Sequence, residues 1–150
     1  DDLGGLMPTF FGYSVTRLHD RQMGRRENVC QRIHSKLAAE YQYAGVFNDR
    51  QNAIETGLYQ RPAYAALYTA LRLGDCVCFI ALDRCFESLD DMITKANDLV
   101  AMGIRVILAD ARIDTGTKEG KTFLKSLYWS NGFGHRRDLL LSDIAHELIV

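Results

Sequence analysis

The chain has 150 residues, 47% hydrophobic and 25% charged, and its 18 Lys and Arg against 19 Asp and Glu leave a net charge of −1. That make-up fits one globular domain with a proper core, and it excludes a generally basic nucleic-acid coat while leaving room for a local basic patch. No apolar run reaches the ~18 residues a membrane span needs and the DDLGG start lacks a leader pattern, so a cytoplasmic protein with no membrane partner is expected.

In chain order, residues 9–15 (TFFGYSV) predict a buried strand that ends in hydroxyls. A helix is expected over about residues 27–42, with Val29, Ile33 and Leu37 at four-residue steps on one face. YAGVF reads as a short second strand, and residues 48–60 as a polar, turn-like loop. RPAYAALYTALRLGD predicts a helix with Pro62 at its first position and Gly74 just past its end. CVCFIAL, nearly all apolar, is expected as a strand buried on both faces. Ser88 and Asp91 form a capping-box pattern for a helix through Met102, closed by Gly103. IRVILAD is a further buried strand; a polar loop over 111–120 leads to a helix at about 121–130, and a last helix is expected from about residue 136. The missing initiator methionine is expected of a processed or excised fragment.

Strands alternating with helices imply parallel βαβ units with helices on both sheet faces. Ligand sites in such sheets lie beyond the carboxyl ends of the strands, which selects Ser14 and Thr16, Asp49, Asp83 and Arg84, and the stretch from Asp110 to Thr115. Cys30, Cys76, Cys78 and Cys85 lack metal-ligand spacing and read as reduced core cysteines; no metal and no cofactor is expected.

Several stretches invite chemistry and each has a plainer reading. Asp83 and Arg84 close an apolar strand, as a phosphate-binding fork or as a structural ion pair. Arg61 precedes Pro62 at a helix start, where free amides and the dipole already favour an anion. RQMGRRENVCQR holds Arg21, Arg25, Arg26 and Arg32, either a basic patch or a solvated loop and helix start. GTKEGKT is one residue short of a nucleotide-binding glycine loop and follows a late strand, so a glycine-bearing loop before a capped helix accounts for it better.

FGYSVT, DRQ at 20–22, RPAYAAL, GDCVCFIALDR, DDMI, GIRVIL and IDTGTKEGK occur in this order between about residues 10 and 121. Together they resemble the catalytic domain of the serine recombinases, the resolvase/invertase family. The resemblance implies a three-layer α/β/α domain with a mainly parallel central sheet, acting on DNA as a homodimer or tetramer. It also implies a hydroxyl nucleophile that attacks a DNA phosphodiester without metal, with arginines meeting the charge of the transition state. Carried over residue by residue, the catalytic set is Thr16, Ser14, Arg61, Asp83 and Arg84. The DNA- or phosphate-binding set is Arg17, Arg21, Gln22, Thr56 and Lys121.

The match departs from the family where the chemistry is densest. The family's first strand carries Tyr-x-Arg-Val-Ser. Aligning Val15 puts Ser14 at the arginine and Thr16 at the nucleophile; keeping Tyr13 in register without a gap puts Val15 and Arg17 there instead. The family's second arginine after Leu-Asp-Arg is Glu87 here, a carboxylate that repels phosphate and can pair with Arg84. The resemblance thus implies a site-specific recombinase domain with weakened cleavage, or an inactive fold kept for interaction or regulation. A small-molecule phosphate enzyme built on residues 110–121 is the third possibility. The domain is expected over 1–131, with a C-terminal helix for oligomerisation or linkage over 132–150; no DNA-reading module is visible.

Overall fold

The computed structural model describes residues 7–16, 23–50 and 57–129. In chain order these form β1 (Thr9–Val15), α1 (Met23–Ser35), β2 (Gln42–Asp49), α2 (Pro62–Ala70), β3 (Cys76–Phe79), α3 (Leu82–Cys85), α4 (Leu89–Ala101), β4 (Arg105–Leu108), β5 (Ile113–Asp114) and α5 (Lys118–Trp129). The sheet order is β2-β1-β3-β4-β5. The first four strands run parallel and β5 pairs antiparallel with β4.

Strand side chains alternate between faces, so β1 divides its residues between two cores. Phe11, Tyr13 and Val15 join Val77, Phe79, Val106 and Leu108 under α2, α4 and α5. Phe10 joins Cys76, Cys78 and Ile107 on the other side, where Cys30, Ile33 and Leu37 of the α1 segment cover them. The result is the three-layer α/β/α arrangement expected from the sequence. Gly12 sits where Cys30 of α1 packs directly on the strand: a Cβ there would stand 2.5 Å from Cys30 Sγ and 3.0 Å from Val46 Cγ2. The β1–β2 register slips between Phe10 and Gly12, and Gly45 absorbs the extra residue at φ +88°.

Local signals place the element ends well. Ser88 Oγ accepts the Asp91 amide at 3.0 Å, while Asp91 Oδ2 accepts the Glu87 amide at 3.1 Å, so the predicted box closes one residue further back. Gly103 ends α4 at φ +81°. Asp75 is buried; its carboxylate accepts the Thr9 and Arg72 amides, both at 2.8 Å, and ties the start of β1 to the turn before β3.

Several expected element ends change. Helix α2 stops at Ala70 with Leu71 as its C-cap in extended conformation, so Gly74, at φ +94°, lies in the turn before β3 and not just past the helix. The helix expected to reach residue 42 ends at Ser35, where three-residue turns take over: the Leu37 amide bonds His34 O and the Glu40 amide bonds Leu37 O. The strand expected through Leu82 ends at Phe79, and Leu-Asp-Arg forms the helical turn α3. Helix α5 begins at Lys118, and β5 lies inside the expected loop. All four cysteines are free and buried. The helix expected from residue 136, and the whole of the 132–150 segment expected as a C-terminal helix for oligomerisation or linkage, lie outside the described residues. Among the described residues no helix is long and apolar enough to cross a membrane.

Candidate active site

The carboxyl ends of β1 and β2 lie side by side, with Ser14 opposite Asn48 and Val15 opposite Asp49. The pairing continues one step, since the Thr16 amide donates to Asp49 O at 2.8 Å. Because side chains alternate, this rim presents two clusters on opposite faces of the sheet.

On the α1 face are Ser14 and Thr16, both fully buried. Their hydroxyls share one acceptor: Ser14 Oγ and Thr16 Oγ1 each donate to Asn48 Oδ1 at 2.8 Å. From α1, Arg26 Nη1 donates to Val15 O at 2.6 Å and to Thr16 Oγ1 at 3.3 Å. Arg26 is only 7% exposed. Its helical register explains this, because Arg26, Cys30, Ile33 and Leu37 follow one another at steps of four, three and four residues along the covered face.

On the other face are Tyr13, Asp49 and Arg61. Tyr13 Oη donates to Asp49 Oδ2 at 2.7 Å. Asp49 Oδ1 also accepts the Ala63 amide at 2.7 Å, and Oδ2 the Tyr64 amide at 3.0 Å. The anion at the α2 N-terminus is therefore Asp49, and the first-turn amides expected to meet a phosphate are turned to this carboxylate. Arg61, at the N-cap of α2, makes no side-chain cap bond. It is fully buried, with Nη1 2.7 Å from Cys85 O and 3.5 Å from Tyr13 Oη. Burial, with Asp49 beside it, pushes the Tyr13 phenol far above its usual range, so it remains a neutral donor. Burial likewise raises the thiol of Cys85, whose Sγ donates to Ile80 O at 3.3 Å.

The turn from β3 into α3 completes the rim. Ala81 adopts a left-handed conformation, φ 59° and ψ 68°. Such a conformation costs a non-glycine residue about 1 kcal/mol or more. Asp110, just past β4, holds it there by accepting the Ala81 amide at 3.2 Å and the Leu82 amide at 2.9 Å. Arg84 Nε lies 3.6 Å from Asp83 Oδ2, the Arg84 side chain 26% and the Asp83 side chain 78% exposed. Leu82, Asp83, Phe86, Glu87, Met92 and Asp110 line a cavity of about 360 Å³ beside this turn.

Thus Ser14, Thr16, Arg61, Asp83 and Arg84 all gather at the carboxyl rim, divided by the sheet. Among the side-chain hydrogen bonds described, those of Thr16 include Asn48 and Arg26, and those of Arg61 include Tyr13 and Cys85. Lys121 is not brought there. Since β5 runs antiparallel, Thr115 returns to Val106 and α5 starts at the amino-terminal edge of β4. Lys121 lines a cavity of about 370 Å³ between α4 and α5, with Asn97, Asp98 and Tyr128. Nor is residues 116–122 a phosphate cradle: the Gly116 amide bonds Asp114 Oδ1 at 2.8 Å, and the Gly120 amide bonds Thr117 Oγ1 at 3.0 Å. Arg17, Arg21, Gln22 and Thr56 lie outside the described residues.

Sequence reasoning missed Asn48 and the inward aim of Arg26. The stripe of residues 26, 30, 33 and 37 carried the second signal, masked because an arginine on an apolar face reads as an interruption.

The family model for the resolvase N-terminal domain matches residues 15–140. The chain belongs to the resolvase family. Domains of this family bind DNA, act as oligomers and serve site-specific recombination. Among solved structures, the N-terminal catalytic domain of TP901-1 integrase is similar with a TM-score of 0.62 and 21% identity, over 86% of this chain and 98% of that one. A resolvase family site-specific recombinase from Streptococcus pneumoniae aligns with a TM-score of 0.47 and 14% identity, over 93% of this chain and 99% of that one. No curated protein matches the chain.

Proposed function

We propose that this resolvase-family domain cleaves and rejoins DNA strands with the Thr16 hydroxyl as nucleophile, more slowly than a site with the full arginine set. The observation that carries it is the Thr16 hydroxyl at the rim of β1, 3.3 Å from the Arg26 guanidinium. In the step, a bond forms between Thr16 Oγ1 and phosphorus while the bond from phosphorus to one deoxyribose oxygen breaks. The threonine proton passes to water and the departing oxygen takes one up; rejoining is the reverse. Arg84 is the partly exposed guanidinium that meets the phosphate, oriented by Asp83. Arg61 braces α2 against the end of α3 from within. Arg17, Arg21, Gln22 and Thr56 belong to the same proposal as phosphate contacts, as does a homodimer or tetramer as the working form. Three features argue for slowness: the threonine β-methyl restricts the attack geometry, Ser14 stands at an arginine position, and Glu87 adds negative charge near the phosphate.

The burial of Thr16 favours a second reading, in which the fold binds DNA or partners without cutting. A covalent trap separates the two. The protein is incubated with supercoiled plasmid at low salt without metal, then run on a denaturing gel with and without protease digestion. A protein-linked nick that disappears in Thr16→Ala supports cleavage. Absence of any linkage in a folded, DNA-binding protein overturns it in favour of the binding module.

A further inference from the structure

Ser14 and Thr16 are two residues apart on one strand and share the α1 face, so a guanidinium at position 14 would stand beside the Thr16 hydroxyl. This chain has no arginine there, yet a guanidinium reaches the same hydroxyl from the helix that covers that face. We infer that Arg26 is a catalytic residue, supplied by α1 in place of an arginine on β1; the inference rests on Thr16 being the nucleophile.

The local hydrogen bonds define the role. The Thr16 hydroxyl gives its proton to Asn48 Oδ1 at 2.8 Å, which turns an oxygen lone pair toward Arg26 Nη1. The shorter bond from Nη1 to Val15 O, 2.6 Å, anchors the guanidinium to the strand that carries the nucleophile. The cation and the reacting oxygen therefore move as one unit. As the oxygen loses its proton and bonds to phosphorus, negative charge develops next to a fixed positive charge in a site shielded from water. Arginine suits the place because it stays charged when buried and can bond the carbonyl and the hydroxyl together.

The test has two arms, so that failure of this inference is distinguishable from failure of the Thr16 reading. In the first, Thr16→Cys is titrated by ultraviolet thiolate absorbance, with Thr16→Ala subtracting the four native cysteines. Beside Arg26 the thiolate is stabilised, and adding Arg26→Gln, which retains a donor for Val15 O without the charge, is expected to raise the thiol pKa by about one unit, roughly tenfold in proton affinity. Identical titrations overturn the inference whether or not DNA is cut. In the second, Arg26→Gln is expected to slow formation of the protein–DNA link by roughly 10²-fold, and Arg26→Lys by less. Undiminished linkage in a folded Arg26→Gln protein also overturns it and leaves Thr16 in place as nucleophile. If the wild-type protein forms no link, the Thr16 reading falls, and the titration still decides whether Arg26 polarises the atom at position 16. Should Arg26→Gln fail to fold, Arg26→Met, neutral and of similar length, carries both arms: a Thr16→Cys titration and a linkage rate unchanged from those measured with Arg26 in place overturn the inference.

Discussion

Replacing Asp49 by asparagine changes one oxygen of a carboxylate that three donors converge on: Tyr13 Oη at 2.7 Å, the Ala63 amide at 2.7 Å and the Tyr64 amide at 3.0 Å. The best amide orientation keeps the carbonyl at Oδ2, where two of the donors meet, and turns its NH₂ against the Ala63 amide. Losing that charge-assisted bond and leaving two donors face to face costs about 2 kcal/mol. Removing the negative charge from the first turn of α2 adds roughly 0.5–1 kcal/mol. With Asp49 only 4% exposed, water does not repair the loss. The sum, about 3 kcal/mol, corresponds to a melting temperature lower by roughly 6–12 °C for a chain of this size. Thermal denaturation followed by circular dichroism reads it directly. Asp98→Asn, at an exposed carboxylate that accepts from Tyr59 Oη at 3.2 Å, is the control and is expected to stay within about 0.5 kcal/mol of wild type. A shift for Asp49→Asn no larger than that of Asp98→Asn would refute the claim that this carboxylate holds the α2 N-terminus.

Acid stability tests the bidentate pair of Asp114 with Arg105, Nε to Oδ1 at 2.8 Å and Nη2 to Oδ2 at 2.6 Å. Burial alone would raise the Asp114 pKa, but Arg105 and the Gly116 amide outweigh it and hold the carboxyl below its ordinary 3.8. A depressed folded pKa means the contribution is complete above the ordinary value and is lost as pH falls through the folded one. Urea unfolding should therefore show Asp114→Asn less stable than wild type at neutral pH, with the gap closing below about pH 4; a gap that stays constant would show that the carboxylate's charge is irrelevant. Gly120→Ala would set a Cβ 2.1 Å from Asp114 O and 2.7 Å from its carbonyl carbon, backbone atoms that cannot turn aside. It should cost about 3 kcal/mol by chemical denaturation, and wild-type stability would mean α5 is free to shift. Arg84→Ala should weaken DNA binding and lower the dependence of log K on log salt by about one, whereas exposed Arg72→Ala should change little. Equal effects in a salt titration would remove Arg84 from the site.

The sequence alone determined the features that depend on neighbours a few residues apart. Apolar runs and helical steps located β1, β3, β4, α2 and α4, the capping pattern at Ser88 set the start of α4, and Gly103 its end, because backbone dihedrals and local hydrogen bonds decide these. The strand–helix alternation and the ordered motifs also carried the three-layer fold and the family, and with them the rim where Thr16, Arg61 and Arg84 collect. What only the tertiary structure decided depends on which faces meet across long separations. The two-residue β5 is too short to show a period, and its reversal against β4 sends Lys121 to the far edge of the sheet. Asp49 docks on α2 fourteen residues further on, a contact that no local pattern encodes. Thr16 and Arg61 fall on opposite faces because strand parity separates Thr16 from Tyr13, while Arg26 meets Thr16 because α1 crosses back over β1 in the third dimension.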